Sequence, residues 1–113
     1  MTELHELDAT AQSEALRAGD VSSVELVQHH LDRIEAHAAS LGAFITVTGE
    51  QALERAAIAD STLRAGDAPA FTGVPIAIKD LTFTRDVPTS MGSLAMRDFV
   101  PPVNAYVVDL IEK

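Results

Sequence analysis

Apolar positions recur with helical spacing through the first part of the chain. The residues at the breaks say where each helix starts and stops. The spacing predicts a first helix over 9–18, with Asp8 as its N-cap and Gly19 as the residue that ends it. Ser22 opens a second helix. Ser22 and Glu25 have the capping-box spacing, and Leu26, Val27, Leu31 and Ile34 share one helical face. This helix is expected to end near Ser40, before Gly42. "AFITV", residues 43–47, is short, β-branched and aromatic, and reads as a strand. Thr48 and Gln51 repeat the capping-box spacing ahead of an alanine-rich third helix over 50–65, with Gly66 as its stop.

"GDAPAFTG", residues 66–73, has loop composition. Val74 to Ile78 reads as a second strand, in which Pro75 is tolerable because a first strand residue need not donate to the ladder. A polar loop with Asp86 and Pro88 follows, then a short helical turn within 90–97. Pro101 and Pro102 break the chain. Asn104 is placed to cap a last helix over 105–113, with Val107, Val108, Leu110 and Ile111 apolar.

Strands alternating with helices predict an α/β layer architecture. Two strands make a poor sheet, and the last helix has nothing after it to pack against. The pattern therefore reads as the opening of a larger fold, with residues 1–113 as part of a single domain and no internal repeat.

Composition narrows the function. The chain has 113 residues and a hydrophobic fraction of 47%, enough for one core, but aromatics are only 4%. That core must come mainly from Ala, Val, Leu and Ile. Net charge is -9, with Asp+Glu 17 against Lys+Arg 8. This disfavours direct nucleic-acid binding and docking on anionic lipid, both of which need clustered cations. The absence of cysteine excludes disulfides, thiolate nucleophiles and Cys-ligated zinc. The first ten residues lack the apolar core of a signal peptide, and no apolar run approaches membrane-spanning length. A cytoplasmic protein is the expectation.

The candidate chemistry lies in "GVPIAIKD", residues 73–80. The chain holds two lysines, Lys79 and Lys113, and Lys79 follows directly on the apolar run. One reading is a return to solvent, with Asp80 as a turn residue. The other is a lysine whose burial at a strand end lowers its pKa, so that it acts as general base to a nucleophilic serine. Asp80 would then either orient that lysine or fix the loop.

"TGVPIAIKDL" from Thr72, followed by "VPTSMGSLAM" ending at Met96, resembles the opening of the amidase signature family. "LRAGDVSSVELVQHHLDRIEAH" from Leu16 is similar to that family's two leading helices. "AFITVTGEQALERAAIAD" from Ala43 is similar to its first strand and third helix, and "PPVNAYVVDLIEK" to the helix that follows. The resemblance is collinear over essentially the whole chain. It implies the opening helices and first strands of a mixed-sheet fold, incomplete in this chain. It also implies hydrolysis of a small carboxylic amide to acid plus ammonia or amine, with Lys79 as base of a Ser-cis-Ser-Lys triad and no metal or organic cofactor. The glutaminase subunit of a tRNA-dependent amidotransferase shares the family.

The Gly-Ser-rich segment that carries both triad serines in the family is absent. Ser90 and Ser93 match a different segment and read as turn or capping residues. Because triad members act as a unit, this chain alone is expected not to hydrolyse amides. The alternative is a small noncatalytic α/β interaction protein derived from that fold. A fragment lacking its neighbouring strands is expected to self-associate.

His29, His30 and His37 lie on the second helix near Glu25 and Asp32. Glu25 and His29 are one turn apart, as a surface metal site requires, but without HExxH spacing the face is read as solvated. Gly73 and Gly92 read as loop glycines or as sites of tight backbone geometry.

Overall fold

A computed structural model of the chain describes residues 2–113, which form four α-helices and two 3-10 turns. The described residues divide into two compact units, one of residues 2–44 and 48–76, the other of 45–47 and 77–113.

The first unit holds the 3-10 turn Leu4–Glu6 and helices α1 (Ala9–Ala18), α2 (Ser23–Leu41) and α3 (Gly49–Ala65). Their ends follow the capping chemistry of the sequence. The Asp8 carboxylate accepts from the Ala11 N–H, and Gly19 closes α1 in the left-handed conformation. Ser22 and Glu25 form the reciprocal capping box at the start of α2, and Gly42 ends that helix at φ 54°. Thr48 precedes α3 without a side-chain cap, so the second capping-box spacing is not used.

Leu16, Leu26, Val27 and Ala56 make the apolar core of this unit, with Gln12, Ser13 and Ser23 buried beside them. Asp60 of α3 adds a cap that the sequence pattern did not point to. Its two carboxylate oxygens accept from the Ser23 and Val24 N–H groups at 2.6 and 3.2 Å. The first N–H groups of α2 thus find acceptors on another helix, as well as on Ser22.

The second unit holds the 3-10 turn Leu94–Met96 and a short helix α4 (Tyr106–Ile111). Val108, Pro101 and Thr89 are its buried residues. The Phe83 and Phe99 rings lie 5.5 Å apart. Loop-to-loop backbone bonds hold it: Asp86 N–H to the Pro101 carbonyl, Thr89 N–H to Phe99, and Ala105 N–H to Phe83. Asn104 does not cap α4. Its side-chain oxygen accepts from the Arg85 N–H at 2.7 Å, and its amide donates to Asp109 and Glu112.

The α/β expectation is corrected. Among the described residues there is no strand and no sheet. Residues 43–47 and 74–78 are irregular, and no backbone hydrogen bond joins one segment to the other. Ile45, Val47 and Ile76 are more than half exposed. A strand exists only through its ladder. β-propensity marks residues that suit a half-buried pleated surface, and here these residues meet no partner backbone at ladder distance.

Candidate functional site

The residues around Lys79 take their positions from turns. The Lys79 carbonyl accepts from the Thr82 N–H at 2.9 Å, closing a turn in which Lys79 and Asp80 are adjacent. The Lys79 side chain is exposed. The expected buried strand end is therefore not formed among the described residues.

Asp80 is more constrained. One of its carboxylate oxygens accepts from the Ser90 N–H at 2.8 Å, and the other accepts from the Ser90 hydroxyl. Its backbone carbonyl accepts from the Met91 N–H at 3.0 Å. The Ser90 hydroxyl first, then the Ser90 N–H, with a smaller contribution from the Gly92 N–H, hold the Asp80 carboxyl below its ordinary value. Asp80 therefore fixes the loop; its carboxylate is turned to Ser90.

Ser90 to Ser93 form the turn that receives it. The Ser93 N–H donates to the Ser90 carbonyl at 2.9 Å, and both central residues have positive φ, Met91 at 55° and Gly92 at 67°. That is the pattern of a type I′ turn, in which Gly at the second centre relieves strain that Met must bear at the first. Thr89, 2% exposed, anchors the turn through its hydroxyl to Val87 and its N–H to Phe99. Ser90 is a turn residue, as expected, and Ser93 starts the 3-10 turn without a side-chain cap.

Gly73 belongs to the first unit. Its φ is +86°, and a Cβ there would stand 3.0 Å from the Ser23 side chain and 3.4 Å from Leu16. The Ser23 hydroxyl donates to the Gly73 carbonyl at 2.8 Å. Arg17 donates to the Ala68 and Pro69 carbonyls at 2.9 and 2.8 Å. The loop before Lys79 is thus pinned to α1 and α2.

The structure brings the Lys79–Asp80 step and the Thr89–Ser93 segment together, joined by Asp80 and Ser90. These are the two segments that carry the resemblance. A family model described as Amidase matches residues 25–113. The chain belongs to the amidase family.

Its relatives within that family include A subunits of glutamyl-tRNA(Gln) amidotransferase. The one from Coxiella burnetii is 42% identical over 97% of this chain, and the one from Saccharophagus degradans is 47% identical over 93%. That of Dehalococcoides mccartyi is 40% identical over the whole chain. In each case the match covers only 22–23% of the relative. The amidase chain thus spans less than a quarter of the length of these curated relatives, and it matches their N-terminal portion.

Asp60, which caps α2, and Ser23 and Arg17, which bond the loop ahead of Lys79, were not singled out from sequence. Each acts across a separation of 36 residues or more, and no local pattern records such a pairing.

Proposed function

We propose that this chain is the N-terminal part of a cytoplasmic amidase-family hydrolase that cleaves a carboxylic amide to acid plus ammonia or amine, with Lys79 as the base of a Ser-cis-Ser-Lys triad. The observation that carries this is the Asp80–Ser90 clamp, which fixes the backbone on which Lys79 stands while leaving its side chain unengaged. A lysine that must face a serine supplied by residues outside this chain is expected to be held at its backbone and free at its ammonium. Burial by those residues would then favour the neutral amine. The names of the relatives support a narrower version, the A subunit of a glutamyl-tRNA(Gln) amidotransferase.

The test has two stages. The coding DNA is read past the codon for Lys113, and an open frame encoding a Gly-Gly-Ser-Ser-Gly-Gly segment is expected. In that gene product, Lys79→Ala lowers amide turnover by about 10³-fold or more, because triad members act as a unit. Its melting temperature stays unchanged, because the Lys79 side chain makes no hydrogen bond among the described residues. A stop codon, or full turnover by Lys79→Ala, refutes this reading. A stop codon would favour the second reading, a noncatalytic interaction protein that keeps the fold's loops and not its chemistry.

A further inference from the structure

We propose that Glu3, His5 and His29 form a binding site for a divalent transition metal of the imidazole-preferring class, such as Zn²⁺ or Ni²⁺. The three residues come from two elements. Glu3 and His5 flank and occupy the 3-10 turn Leu4–Glu6, and His29 lies in the second turn of α2. One potential ligand atom from each lies within 4.8 Å of the others.

The two imidazoles are already paired. His5 Nδ1 and His29 Nε2 are 2.9 Å apart, and the rings stack with centroids at 5.2 Å and planes 16° apart. Two nitrogens on a tetrahedral zinc stand about 3.3 Å apart, given Zn–N bonds of about 2.0–2.1 Å. The pair needs to open by only a few tenths of an ångström. Whichever nitrogen donates the present hydrogen bond must pass its proton to the other nitrogen of its own ring, which frees a lone pair on each ligand atom without net proton loss. Two imidazoles and a carboxylate are a recognised zinc ligand set, with a fourth position left for water. Glu3 is exposed and both histidines are partly so, which leaves that position open to solvent.

A buried side chain holds the arrangement in place. Gln12, 7% exposed, donates through its amide to the Leu4 and Leu7 carbonyls at 3.2 Å each. These carbonyls lie on either side of His5, so the turn is tied to α1 at both ends. The same amide nitrogen lies 3.5 Å from His30 Nε2 on α2. A site whose backbone is fixed before the metal arrives loses less entropy on binding. The net charge of -9 favours cation accumulation at the surface.

The test uses the chain without a histidine tag, titrated with ZnCl₂ and separately with NiCl₂ against a chromophoric chelator, with parallel NMR of the imidazole nitrogens. One equivalent is expected to bind, with the His5 and His29 ring nitrogens shifting together. His5→Gln and His29→Gln should each weaken binding by about tenfold or more, Glu3→Gln by less, and His37→Gln not at all. Binding that survives both His5→Gln and His29→Gln, or no uptake of either metal, overturns the proposal. Should a histidine variant lose its helical circular dichroism, the ring-nitrogen shifts of the unsubstituted chain decide: shifts at other histidines, or at neither of these two, also overturn it.

Discussion

Asp80 favours its ionised form because Ser90 donates to both of its oxygens. A carboxyl held below its ordinary value stabilises the folded state at every pH above its unfolded value. That contribution is lost as pH falls through the lower, folded value. For Asp80 the window therefore lies at and below about pH 4. Ser90→Ala removes the largest cause of the shift, so the variant should be less stable than the unsubstituted chain at about pH 6. The gap should narrow as pH is lowered to about 2 and Asp80 takes up its proton in both. Urea midpoints at the two pH values check this; a gap that stays constant would show that the hydroxyl acts through something other than the carboxylate. Glu25, also lowered by Ser22, loses its own contribution as pH falls below 4.5 in both proteins and leaves the difference untouched. At this scale the sequence was half legible. Asp80 and Ser90 each stood in a recognisable segment, but which group the carboxylate serves depended on a contact ten residues away.

At the scale of elements, helix ends were readable because capping is local. Asp8, Gly19, Ser22 with Glu25, and Gly42 all sit at the ends of the helices they were expected to bound. The strands were not readable, because a ladder needs a partner that the segment itself does not specify. Between these cases lies the junction of α2 with the loop at Gly73. Only glycine meets both demands there, a φ of +86° and a close approach to Ser23. Gly73→Ala should destabilise the fold by roughly 1–3 kcal/mol, from left-handed strain plus the displacement of Ser23. A thermal melt is the measurement, and an unchanged midpoint would mean that the loop turns without holding Gly73 in this conformation.

For the whole molecule, the telling feature is how little apolar surface is enclosed. Among the described residues, Leu16, Leu26, Val27, Ala56 and Val108 are the buried hydrophobics. Against them, Leu41, Ile45, Ile58, Ile76, Leu94 and Tyr106 are each more than 60% exposed. Isolated surface hydrophobics are ordinary, but large ones in this proportion favour association. Sedimentation velocity over a tenfold concentration range should show self-association of the 113-residue chain. A monodisperse, cooperatively melting monomer would contradict that and favour the noncatalytic alternative. Among the described residues no helix is long and apolar enough to cross a membrane.

Although the caps expected from Thr48 and Asn104 did not form, the sequence by itself determined the helical segments, the caps at Asp8, Gly19, Ser22 with Glu25 and Gly42, and the family. These depend on residues within one turn of each other, or on ordered motifs that need no third dimension. Tertiary structure decided the rest. It left 43–47 and 74–78 without ladders, turned Asp80 to Ser90, and laid His5 against His29 across 24 residues of chain. Each of these outcomes depends on which distant group arrives at bonding distance, and local pattern carries no information about that.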